Sequence, residues 1–168
     1  MIQFILGNIF DALSSLLIMR SMFSKSKKNM LLIQCLDCVC AIIGNLLLGG
    51  WSGAVIITYS LIRNLVCAKY TLSNSISMLF VIASGLLGVY VNDDGFFGLF
   101  SVIGTIEYTA FVCFSRKANT LRIGMLINLI LYVFYSVAIK SYVVLPIYIT
   151  IMVIIIIKLY KGEEDLGE

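Results

Sequence analysis

The stretch "LLIQCLDCVC", Leu31 to Cys40, sets Gln34 and Asp37 inside a run that is apolar on both sides. An ionised carboxylate in hydrocarbon costs roughly 2.5 to 3.5 kcal/mol even on the gentlest scale, so Asp37 needs a proton, a partner or a wet cavity. That demand applies only if the segment lies in a membrane. Composition says it does: 61% of the 168 residues are hydrophobic and 12% are charged, against about 25% charged in ordinary soluble domains.

Working outward, the apolar segments run Ile2–Met22, Met30–Leu48, Ser52–Ala68, Ser75–Val91, Phe96–Phe114, Leu121–Ala138 and Val143–Ile157. Each approaches or reaches the about 17 to 25 residues that cross a bilayer as helix. The expected fold is an all-α integral membrane protein of seven transmembrane helices, with no room for a soluble domain. The first segment has no basic leader and no small-residue cleavage site, so it is read as a retained helix and not a removed signal peptide.

Basic residues set the expected orientation. Arg20, Lys25, Lys27, Lys28, Lys69, Arg116, Lys117, Arg122, Lys158 and Lys161 all fall on one side of a seven-span chain, while "GGWSG", "NDDG" and Lys140 fall on the other. The positive-inside rule then places the amino terminus outside and the carboxyl terminus in the cytoplasm. The net charge of +3 is accounted for by this asymmetry and gives no reason to expect a nucleic-acid partner. The acidic tail "GEEDLGE" is read as a solvated end.

The chain has no histidine and five cysteines, Cys35, Cys38, Cys40, Cys67 and Cys113, all within or beside apolar segments. Cys35 and Cys38 form C-x-x-C, but inside a helix cysteine packs as a small apolar residue. No metal site and no cofactor is expected. G-x-S-x-G, H-E-x-x-H and a nucleotide loop are all missing from the sequence, so an enzyme is not expected either.

"FSKSKKNMLLIQCLD" from Phe23 and "FSRKANTLRIGMLIN" from Phe114 share a plan: a helix end, a basic loop and a new apolar helix. Aligning Phe23 with Phe114 puts Asp37 over Asn128, Ser14 over Thr105 and Trp51 over Tyr142. The expected organisation is two three-helix bundles, residues 1–69 and 96–160, joined by a linker helix within 70–95 and followed by a tail at 161–168. Such repeats commonly frame a transporter's substrate path near the midplane.

"GGWSGAVIITYSLIRNLV", Gly49 to Val66, and "LFSVIGTIEYTAFVCF", Leu99 to Phe114, resemble the YgjV-type family of bacterial inner membrane proteins. The Ile62-Arg63 pair and the run Val102 to Ile106 are the most specific pieces, and the resemblance covers nearly the whole chain. It implies residence in the bacterial cytoplasmic (inner) membrane. It also implies the three-plus-one-plus-three helix plan of the SWEET sugar facilitators, PQ-loop transporters and nicotinamide riboside carriers with which that family is grouped. The sequence departs from those relatives in having no Pro-Gln dipeptide and one proline, Pro146, which rules out a set of proline hinges. Gly7, Gly44, Gly49, Gly50, Gly53, Gly104 and Gly124 are candidates for bending or close packing in their place.

Polar residues recur at helical spacing. The first span has Asn8, Asp11 and Ser15; the second Gln34, Asp37 and Asn45; the third Ser52, Tyr59 and Arg63; the fifth Ser101, Thr105 and Tyr108; the sixth Asn128, Tyr132 and Tyr135. Together with Glu107, which sits to one side of its stripe, these give the candidate substrate-binding set: Asn8, Asp11, Gln34, Asp37, Asn45, Tyr59, Arg63, Thr105, Glu107, Tyr108, Asn128, Tyr132 and Tyr135. Asp37 and Arg63 both lie roughly 10 Å from the basic side at about 1.5 Å per residue, so an Asp37–Arg63 ion pair is expected. Asp11 is expected to be protonated, bonded to Asn8 or Asn45, or facing water. Trp51 and Tyr142 are expected as interfacial anchors.

The favoured function is a facilitator or transporter of a vitamin-, nucleoside- or sugar-like solute by alternating access. The alternative is a seven-helix receptor or accessory protein that binds a ligand without moving it. The expected partners are the bilayer and that solute; both bundles lie in one chain, so a homodimer is permitted and not required.

Overall fold

The computed structural model describes residues 1–93, 95–138 and 145–161. Among the described residues seven helices follow in order: α1 (Ile2–Ser21), α2 (Lys27–Leu48), α3 (Trp51–Lys69), α4 (Asn74–Val91), α5 (Gly95–Phe114), α6 (Ala118–Ala138) and α7 (Leu145–Tyr160). The first six are long and apolar enough to cross a membrane, while α7 is a shorter apolar helix of 16 residues. Tyr142, Lys140 and the acidic tail lie outside the described residues.

Local chemistry sets the helix ends. Ser26, in extended backbone, accepts from Asn29 N–H at 3.3 Å and starts α2 three residues before the apolar run, so Lys27 and Lys28 lie within the helix. Gly49 takes the left-handed conformation (φ 83°) that ends α2, and Gly50 N–H donates to Asn45 O at 2.8 Å, turning the chain directly into α3. Ser73 caps α4 in the manner of Ser26. Pro146 falls in the first turn of α7, where its missing N–H removes no helical bond.

Helix α2 packs between α1 and α3, and α6 packs between α5 and α7; α4 lies against α3 and α5. The two rows meet through α1 with α7, α2 with α6 and α3 with α5. Outward faces carry Phe4, Leu13, Leu36, Leu79, Leu86 and Phe134, all exposed and suited to lipid.

The packed core lies between the rows at the end that carries the basic loops. Met22, Met30, Leu31, Val112, Leu121, Met125 and Ile155 form it, with Cys67 and Cys113 of α3 and α5 at its edge and their sulfurs 3.7 Å apart. Toward the opposite end the buried helix positions are mostly small: Gly7, Gly44, Ala54, Ser84, Gly88 and Gly98. Large side chains therefore plug one end, while at the other neighbouring helices approach closely through small residues.

Two cations tie the basic end together. Lys27 Nζ, at the start of α2, donates to Val112 O (2.9 Å) and Ser115 O (2.6 Å) at the close of α5. Arg122, buried near the start of α6, donates from Nε to Met22 O (3.1 Å) and from Nη2 to Ser24 O (2.6 Å), and a further Nη1 bond reaches Asn119. Ser24 and Ser115 occupy the same place in the two copies of the loop, so each copy surrenders its free carbonyls to a cation from the other row. These are charge-assisted bonds to acceptors that the helix ends leave open.

Candidate functional site

A cavity of about 290 Å³ sits at mid-height above the apolar plug, and its walls come from α1, α2, α3, α5, α6 and α7, every helix except α4. Of the candidate residues read from the sequence, Gln34, Asp37, Arg63, Thr105, Tyr108, Asn128 and Tyr132 line it. They are joined by Ser14 and Ser15 of α1, Ser60 and Asn64 of α3 and Tyr148 of α7.

Each wall is organised by bonds between helices. Gln34 Nε2 donates to the Tyr108 hydroxyl at 2.7 Å, linking α2 to α5 across the buried floor. Ser14 Oγ donates to Asp37 Oδ1 at 2.5 Å, linking α1 to α2. Arg63, only 3% exposed, donates from Nη1 to Thr109 Oγ1 at 2.8 Å and from Nε and Nη2 to Asn64 Oδ1 at 3.1 and 2.9 Å. Its guanidinium carbon lies 5.3 Å from the centre of the Tyr108 ring, within cation–π reach. Thr109 in turn donates to Thr105 O at 2.7 Å, which fixes its oxygen toward the arginine.

The expected Asp37–Arg63 ion pair is not formed. Equal depth places two residues in one plane but leaves their separation within that plane open, and here each turns to a neutral partner: Asp37 to α1, Arg63 to α5 and its own neighbour Asn64. Both nevertheless face the same cavity.

The remaining candidates lie elsewhere. Asn8 is exposed and folds back on Phe4 O (2.7 Å). Asp11 bonds to neither Asn8 nor Asn45: its carboxylate packs over Gly44 at the α1–α2 crossing, where a Cβ on Gly44 would collide with it. Asn45 donates to Ala41 O (2.8 Å) and its oxygen fills the space beside Gly50 and Gly53, a part in the α2–α3 turn. Tyr59 donates to Phe80 O and packs on that ring, joining α3 to α4. Tyr135 stands edge-on to Tyr132 just outside the lining. Glu107 is not among the residues that line the cavity, and both its oxygens are buried without a hydrogen-bond partner among the described residues. Trp51 is exposed at the start of α3, as expected of an interfacial ring; Tyr142 is outside the described residues.

The residues that sequence reasoning left out had weak signals. Ser60 and Asn64 follow Ile56 at four-residue steps but flank the more conspicuous Tyr59 and Arg63. Tyr148 is an aromatic with a polar tip in an otherwise almost wholly aliphatic helix.

The Gln34–Tyr108 contact is directly testable. Truncating either member strands a buried polar group at about 1 to 3 kcal/mol, so Gln34→Leu and Tyr108→Phe should each lower the melting temperature. The double variant should lose less than the sum, by about 1 kcal/mol of coupling. Strict additivity in the four-way comparison of melts would mean that the two groups do not interact.

The family model for a bacterial inner membrane protein, Imp-YgjV, matches residues 5–165. The chain belongs to this family. As a YgjV-type protein with six helices long enough to span, it is a multi-pass protein of the bacterial inner membrane. Neither the curated proteins nor the solved structures hold a match to it.

Proposed function

We propose that this YgjV-type protein is a facilitator or transporter of a small polar solute, working by alternating exposure of the central cavity. The observation that carries this reading is that six helices from both rows supply the cavity wall while α4 supplies none of it. That division of labour is expected of two three-helix bundles, 1–69 and 96–160, with residues 70–95 as linker, in a SWEET-like seven-span plan. The cross-contacts fit the same scheme: exchanging α1 with α5, α2 with α6 and α3 with α7 turns the α1–α7 contact into α5–α3 and leaves α2–α6 unchanged. No covalent chemistry is called for, and the protein is not proposed as an enzyme.

The positive-inside pattern puts the apolar plug and the Lys27 and Arg122 ties on the cytoplasmic side, with the amino terminus outside. Large buried side chains then fill the cytoplasmic end in this conformation. A homodimer is compatible with the scheme, but one chain contains both bundles and needs no second copy to complete a path.

The test is uptake into vesicles containing only the purified protein, using labelled solutes first selected by thermal shift, since a ligand of the folded form raises apparent stability. Entry faster than in empty vesicles, abolished by filling the cavity with Ser60→Phe, is the expected result. A solute that raises the melting temperature but never enters would overturn transport and leave a ligand-binding receptor.

A further inference from the structure

Asp37 and Arg63 are the only acidic and the only basic side chains among the described residues that line the cavity. They come from adjacent helices yet do not neutralise one another. Ser14 of α1 holds the carboxylate, and Asn64 of α3 itself together with Thr109 of α5 holds the guanidinium. The Arg63 guanidinium has five N–H donors; three hydrogen bonds are made, all to neutral oxygens. Asp37 receives one protein hydrogen bond, and its second oxygen is not sealed off. The other carboxylates within the described helices, Asp11 at the α1–α2 crossing and Glu107 of α5, are not on the wall.

A buried charge without a counter-ion is costly, and two of opposite sign held apart in one chamber define what relieves them. A neutral solute leaves both uncompensated, and a solute with one charge leaves the other. A solute carrying both signs satisfies the pair at once. Extending the transporter reading, on which this inference rests, we propose that the cavity takes small zwitterions of the amino-acid type, the carboxylate received by Arg63 and the ammonium by Asp37. The forked guanidinium suits a carboxylate, and Asn128 with the Tyr132 and Tyr148 rings remains for the rest of the solute. At about 290 Å³ the chamber is at the small end of ligand sites and has room for an amino acid.

The deciding experiment is thermal shift of the detergent-solubilised full chain with the common α-amino acids, γ-aminobutyrate and glycine betaine. Each amino acid is set beside its decarboxylated amine and its deaminated acid. The expected result is at least one zwitterion that raises the melting temperature, with both of its singly charged relatives weaker by about tenfold or more. In Arg63→Gln the amine should bind as well as the parent zwitterion, and in Asp37→Asn the acid should; Arg63→Lys should keep the preference for the carboxylate. No shift with any zwitterion, or an equal shift with a matched amine or acid, overturns the proposal. The wild-type series decides alone if the variants do not fold. Vesicle uptake separates the two readings: a zwitterion that binds without entering sinks transport and spares the solute class, while selective entry of a sugar or of a singly charged solute does the reverse.

Discussion

Arg122→Ala lowers the thermal midpoint of the solubilised protein by the largest margin of any single substitution at the basic end. The side chain is 1% exposed and spends its donors on Met22 O, Ser24 O and Asn119 Oδ1. Removing it strands two backbone carbonyls in the α1–α2 loop that water reaches poorly, at about 1 to 3 kcal/mol each. It also opens a gap beside Met22 and Leu121, both fully buried. A total near 3 kcal/mol or more is therefore expected. Arg122→Lys keeps the charge and loses the fork, and should fall between the two. An alanine variant that melts with the wild type would show that the loop does not depend on this tie.

Gly124→Val has an effect of comparable size for a different reason. A Cβ at Gly124 would meet Phe111 Cγ at 2.5 Å and Phe111 Cβ at 2.7 Å, far inside contact distance. Phe111 Cβ is rigidly attached to the α5 backbone, so no rotamer change clears the way and the helices have to separate. Overpacking of this kind costs about 1 to 3 kcal/mol, and more as the branch grows. Even Gly124→Ala should destabilise, although alanine is favoured over glycine within a helix by about 1 kcal/mol. Phe111→Ala should rescue little, because the obstructing Cβ survives. A Gly124→Ala variant more stable than wild type, read by thermal melt, would mean that α5 and α6 part easily.

The helices were legible because apolar length is a one-dimensional signal. The same signal places helix ends less well: the apolar run of the second span begins at Met30, yet Ser26 starts the helix before Lys27 and Lys28, and Lys27 reaches across to α5. Gln34, Asp37, Asn128 and Tyr132 were legible as cavity residues because polar stripes avoid lipid. Asn8, Asp11 and Ser15 form a similar stripe on α1, but only Ser15 of the three reaches the wall, beside Ser14 and Ile18. Periodicity gives a face and leaves the height along it undetermined. Glu107 and Tyr108 are one residue apart, and that single step of rotation separates a buried wall residue from a carboxyl outside the cavity. Depth alone likewise could not tell Asp37 that its partner is Ser14, since the choice depends on the lateral spacing of α1, α2 and α3.

The exchanged loop ties also carry a consequence for how the protein is made. Lys27 waits for acceptors 85 and 88 residues further along the chain, and Met22 and Ser24 wait for a donor 100 and 98 residues further along. While the ribosome is still synthesising α3 and α4, the leading half sits in the bilayer with those carbonyls open to the headgroup water. Its locking comes only with the arrival of α6, so biogenesis ends in a late, nearly simultaneous fastening of both halves.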